Sequence, residues 1–113
     1  MKQGEIWEIE LGPTVGAEMR KKRPAVIIND DAIGSLPLRV VVPITEWKEH
    51  YAGAIWMVKI EADNLNKLTK ASAVDTFQIR SISTSRFMKK IGSVSSAVLE
   101  DIKAAVKAVI DAE

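Results

Sequence analysis

Cysteine is absent from this 113-residue chain. That excludes disulfides and any zinc site built on thiolates. Histidine is nearly absent as well, with His50 standing alone. One histidine makes neither a histidine-rich metal site nor a histidine pair for acid–base work. No apolar run approaches the ~20 residues of a membrane-spanning helix. The opening Met1-Lys2-Gln3-Gly4-Glu5 lacks the apolar core of a signal peptide. A cytoplasmic protein is expected, with no membrane partner. Strong net charge is also missing: the formal value is +1, so a nucleic-acid signal has to come from local clustering. Hydrophobic residues at 47% and charged residues at 27% argue for a globular chain rather than a disordered one. At this length we expect one domain over residues 1–113, burying roughly two-thirds of its unfolded surface.

The cations are clustered. Arg20, Lys21, Lys22 and Arg23 form an unbroken run, preceded by Gly16 and Glu18 and closed by Pro24. An apolar stretch, Ala25-Val26-Ile27-Ile28, follows at once. Proline fixes its own φ and drives the preceding residue into extended backbone, so Arg23 is the cation with the best-defined position. Arginine stays charged, grips phosphate through two parallel donors and sheds its hydration more readily than lysine. Alone, such a run reads as a solvated loop. Its attachment to a buried strand makes it a candidate anion site.

The remainder reads as short strands followed by one helix. Glu5 to Leu11 alternates, with Trp7, Ile9 and Leu11 on one face and Glu8 and Glu10 on the other. Pro24 to Asn29 reads as a central strand, and Leu38 to Ile44 as a third strand in which Pro43 suggests an edge or a bulge. Ala54 to Ile60 and Ala73 to Ser83 read as two more strands, Thr84 to Phe87 as a helical turn, and Met88 to Ile91 as a short strand closed by Gly92. From Val98 the apolar period becomes helical through Ile102, Ala105, Val106 and Ile110. Ser95 or Ser96 can cap a helix that ends near Asp111. The expected fold is mainly β with a C-terminal helix (α+β), arranged as a small twisted barrel or half-barrel.

Several motifs occur in a particular order: Gly4-Glu5-Ile6-Trp7, then Gly16-x-Glu18 ahead of Lys22-Arg23-Pro24, then Val42-Pro43-Ile44-Thr45. Gln78-Ile79-Arg80-Ser81-Ile82, Arg86-Phe87 and Lys90-Ile91-Gly92 complete the set. As an ordered set they closely resemble the MazF/PemK toxins of bacterial toxin–antitoxin modules. The resemblance implies an SH3-like small barrel, a homodimer, and sequence-specific endoribonuclease activity on single-stranded RNA without a metal or other cofactor. It also implies neutralisation by a cognate antitoxin protein and, together with that antitoxin, DNA binding.

Under the resemblance, Arg23 matches the catalytic arginine, Thr45 the catalytic threonine at a strand end, and Glu18 the acidic residue of the loop. Attack by a ribose 2′-hydroxyl on the adjacent phosphate accumulates negative charge on the phosphoryl oxygens, which Arg23 and Thr45 are suited to stabilise. Glu18 either orients Arg23 or takes part in proton transfer. Arg20, Lys21, Lys22 and Arg80 are expected to follow the RNA backbone. Trp47 is a base-stacking candidate, and Asp75 and Gln78 are expected at the RNA site. Many relatives carry an acidic residue where this chain has Phe77, and some carry histidine where it has Ala17. Phe77 reads as core, with base stacking as the other reading. His50 reads as a surface loop residue. The competing functional readings are a non-catalytic toxin on the same fold, such as a gyrase inhibitor, and a plain RNA-binding module.

Overall fold

A computed structural model of the protein describes residues 1–12, 16 and 21–113. Among the described residues, seven strands and one α-helix are present: β1 (Glu5–Glu10), β2 (Lys22–Ile27), β3 (Leu38–Glu46), β4 (Met57–Ile60), β5 (Ser72–Asp75), β6 (Arg80–Ser83), β7 (Phe87–Ser93) and α1 (Ser96–Val109). Every strand pair is antiparallel. The strand order is β4-β5-β3-β2-β1-β7, with β6 paired to β3 beside that path. The mainly β fold with one C-terminal helix is as expected, but the small barrel is realised as a sheet that does not close. No helix among the described residues is long and apolar enough to cross a membrane.

Both faces of the sheet are covered, and this explains its apolar strands. Side chains alternate across a strand, so Val26, Val42, Ile44 and Val74 enter one core while Ala25, Ile27 and Val41 enter another. Ile102 of α1 joins the first core, and the helix lies against β4 and the turn after β5. Ser95 caps the helix, its Oγ accepting from the Val98 N–H at 3.2 Å. In β1 the anticipated face of Trp7, Ile9 and Leu11 meets the second core. The opposite face is not wholly polar as expected, because Ile6 is buried in the first core. The β1–β7 register shifts between Ile6 and Trp7 and again between Glu8 and Ile9.

Two further expectations are corrected. Pro43 is neither at an edge nor at a bulge: it is fully buried in the central strand β3, opposite Ala25 of β2. On its other flank, β3 pairs with β6 as far as Val41 and with β5 from Ile44 onward. Pro43 falls in the gap between those partners, where a missing N–H costs no ladder bond. The second correction concerns residues 73–83, which do not form one strand. Asp75 Oδ1 accepts from the Phe77 N–H at 3.1 Å, and the Thr76 Oγ1 hydroxyl donates to the Trp56 carbonyl at 2.7 Å. These bonds turn Thr76–Gln78 into a single 3-10 turn between β5 and β6.

Candidate active site

Arg23 lies in β2 opposite Ile9 of β1. The β2–β3 register pairs Ala25 with Pro43; continued by two residues, it sets Arg23 opposite Thr45. Opposed residues on antiparallel strands project to the same face, with Cβ atoms about 4.5–5.5 Å apart. Thr45 is held from its other side by Ala73 of β5. Both Arg23 and Thr45 are half-buried. They line a cleft of about 220 Å³ whose other walls include Glu46, Leu68, Lys70 and Ser72. Lys70 Nζ stands 3.2 Å from Glu46 Oε2 at its rim. The hydrogen bond and charge of Lys70, with the charge of Lys48, hold the Glu46 carboxyl below the usual carboxylate range.

A second cleft, of about 440 Å³, opens beside this pair and is lined by Leu11, Pro43, Phe77, Gln78, Arg80 and Ser81. Pro43 lies two residues before Thr45 on the same strand face, a step of about 7 Å. The two clefts therefore flank one stretch of β3. Behind the second, Asp75 is 5% exposed. Its Oδ2 accepts from Gln78 Nε2 at 2.8 Å while Oδ1 caps the turn. Both carboxylate oxygens are thus used to position the turn and the Gln78 amide. Lys21 and Lys22 are exposed, and the Lys21 carbonyl accepts the Leu11 N–H at 3.1 Å. The Lys21 backbone thereby meets the Leu11 wall of the second cleft.

Trp47 sits elsewhere, just past the end of β3. Its Nε1 donates to Glu49 Oε1 at 3.2 Å, Tyr51 packs edge-on at 5.8 Å, and Lys59 Nζ lies 5.0 Å from its ring centroid. His50 is exposed on the same loop. Glu18, Arg20 and Ala17 lie outside the described residues.

The profile of PemK-like, MazF-like toxins of type II toxin–antitoxin systems matches residues 2–110. The chain belongs to this family. The endoribonuclease MazF9 of Mycobacterium tuberculosis is 33% identical, over 98% of this chain and 97% of its own length. An endoribonuclease MazF of Staphylococcus saprophyticus is 27% identical over 94% of this chain and 88% of its own. Among solved structures, MazF of Deinococcus radiodurans superposes with a TM-score of 0.80 at 20% identity, covering 98% of this chain and 96% of that one. An endoribonuclease in complex with its cognate antitoxin, from a mycobacterial species, superposes with a TM-score of 0.77 at 17% identity, covering 98% and 95%.

Within this MazF/PemK member, the reading of Phe77 as core is wrong: the side chain is 64% exposed. Its exposure follows from the 3-10 turn, which rotates Phe77 out of the strand alternation. The signal was present in the flanking Asp75 and Thr76, both of which bond readily to nearby backbone and so break strands. Trp56, 39% exposed and stacked edge-on to Phe77 at 5.9 Å, was assigned to a strand and to no site. Glu46 reaches the Arg23 cleft as the neighbour of Thr45 at the end of β3, whereas Lys70 carries no sequence signal, because it is brought there by the β3–β5 pairing.

Proposed function

We propose that this protein is an endoribonuclease toxin that cuts single-stranded messenger RNA at particular sequences, without a metal ion, and that a cognate antitoxin neutralises it. The observation that carries the proposal is that Arg23 and Thr45 line one cleft, as the β2–β3 register continued from the Ala25–Pro43 pair leads one to expect. Family membership and the names of full-length relatives support the same reading.

In this reading the 2′-oxygen of one ribose attacks the adjacent phosphorus. A P–O2′ bond forms and the P–O5′ bond breaks, leaving a 2′,3′-cyclic phosphate and a 5′-hydroxyl. One proton leaves the 2′-oxygen and one reaches the 5′-oxygen. The nucleophile belongs to the substrate, so no metal-bound hydroxide is required. Arg23 remains charged throughout and places its donor fork on the phosphoryl oxygens, where charge grows. Thr45 donates its hydroxyl to the same group. Glu18 orients Arg23 or receives the 2′ proton. Arg20, Lys21, Lys22 and Arg80 follow the backbone, Gln78 is presented to a base by Asp75, and Trp47 offers a stacking face. The protein acts in the cytoplasm as a homodimer, since two-fold pairing is the common way to cover exposed sheet edges. An acidic, disordered antitoxin segment competes with RNA for the basic run.

The test is incubation of the purified protein with single-stranded RNA in excess EDTA, followed by end-group analysis. Cleavage with cyclic-phosphate and 5′-hydroxyl ends is expected. Loss of activity in EDTA, its return with magnesium and 5′-phosphate ends would contradict the mechanism.

A further inference from the structure

Phe77 and Trp56 form an aromatic pair at the surface, 64% and 39% exposed. Their rings meet edge-on, with an interplanar angle of 76°. The backbone beneath is fixed: Thr76 is fully buried, and its N–H and hydroxyl both donate to the Trp56 carbonyl, at 3.0 and 2.7 Å. Asp75 caps the same turn from a buried position. Exposed rings normally gain by burial, and here the bonded turn sets the Phe77 backbone so that its ring stays at the surface. Phe77 is also a wall of the 440 Å³ cleft, whose other walls include Arg80, Gln78 and Ser81.

A flat apolar face beside a cation and an amide fits a planar ring joined to an anion. Arg80 lines this cleft and the exposed Lys21 meets its Leu11 wall through the backbone, so the local charge favours a polyanion over an apolar peptide. The cleft lies about 7 Å along β3 from Thr45. A strand whose phosphate rests on Arg23 and Thr45 therefore reaches it with a neighbouring nucleotide. The geometry points to a nucleobase subsite in which Phe77, backed by Trp56, stacks one unpaired base next to the cut and so helps set the sequence that is cut. The inference rests on the ribonuclease reading above.

Aromatic stacking of a base changes affinity by roughly tenfold to a hundredfold. The test measures binding of uncleavable 2′-O-methyl oligonucleotides, and of an abasic oligonucleotide of equal length, to the full-length protein and to its Phe77→Leu and Phe77→Tyr variants. Phe77→Leu should weaken binding of the base-bearing oligonucleotides by about tenfold or more, leave the abasic one unchanged, and broaden the cleavage preference read from RNA 5′ ends. Phe77→Tyr should restore both. Equal weakening on abasic and base-bearing strands would mean structural damage and would overturn the subsite. So would unchanged binding in a protein that still cuts RNA, which leaves the ribonuclease reading intact. Conversion to monomers by Phe77→Leu, seen by sedimentation, would make the patch a subunit interface; loss of antitoxin binding alone would make it an antitoxin site. If the wild-type protein neither binds nor cuts single-stranded RNA, the ribonuclease reading falls and the subsite with it.

Discussion

Glu5 shows how one side chain ties together the start of the chain. Its Oε1 accepts from Trp7 Nε1 at 2.9 Å and from the Lys2 N–H at 3.0 Å, and lies 3.5 Å from the terminal ammonium; Oε2 lies 3.4 Å from Lys90 Nζ on β7. Burial alone would raise the carboxyl pKa, but these donors and cations outweigh it and lower the value from 4.5 to about 2. The folded state thus binds the proton more weakly than the unfolded chain. The stabilisation is complete above the unfolded pKa of 4.5 and is lost as pH falls through about 2. Urea unfolding of the wild type and Glu5→Gln should show a stability gap at neutral pH that closes across that window, with a change on the order of 3 kcal/mol. A gap that stays constant with pH would remove the carboxylate charge from the account. Gly92 marks a limit of the sequence at this scale. It read as the end of a strand, yet it lies inside β7, where a Cβ would stand 2.6 Å from the carbonyl oxygens of Leu65 and Asn66. The need for glycine comes from a loop about 26 positions away, a contact that no local pattern encodes.

Elements that follow a single periodicity were legible. β2 and α1 are placed within two or three residues because each has one strong apolar pattern; Ser95 marks the start of α1, whereas β2 begins at Lys22, two residues before the expected start at Pro24. The segment from Ala73 to Ser83 was misread for the opposite reason: Val74, Ile79 and Ile82 keep a strand-like apolar content across a turn that only Asp75 and Thr76 reveal. That turn carries both Gln78 and Phe77 to the second cleft, so reading it as strand also misplaced part of the candidate site. Asp75→Ala removes the cap on the Phe77 N–H and the acceptor for Gln78, and should cost about 1–3 kcal/mol of stability while weakening RNA binding. Ile102→Ala, in the helix and lining neither cleft, should cost about 2–5 kcal/mol but leave the single-turnover cleavage rate unchanged well below its melting temperature. Chemical denaturation and kinetics on the same samples separate the two. If Ile102→Ala slowed cleavage while still folded, the helix would have to be coupled to the site.

At the scale of the whole molecule, a near-neutral chain has one sequence run of four cations, Arg20 to Arg23, leading into and opening β2, and Arg80 in β6. Affinity for RNA should therefore rest on few phosphate contacts and show a correspondingly shallow salt dependence. Lys21→Ala and Lys22→Ala should each reduce the slope of log affinity against log salt by about 0.7, with little effect on the chemical step. A slope unchanged in both variants would move the backbone contacts elsewhere. The strand content, terminal helix and family were legible because the ordered motifs span the chain. The open sheet and the sharing of β3 between β5 and β6 were not. They depend on which strands pair, and that sharing is what allows a proline at the centre of the sheet.

The facing of Arg23 and Thr45 is the centre of the account, and single-turnover cleavage at saturating protein tests it most directly, with RNA binding measured separately. Arg23→Ala should lower the rate by ~10²-fold or more while affinity falls far less, and Arg23→Lys should recover only part because a point charge lacks the donor fork. Thr45→Ala should lower the rate in the same sense and Thr45→Ser should retain much of it. The double variant should lose less than the product of the single losses, as expected of two groups acting on one transition state. A near-wild-type single-turnover rate for Arg23→Ala would contradict the account and leave a binder without this active site.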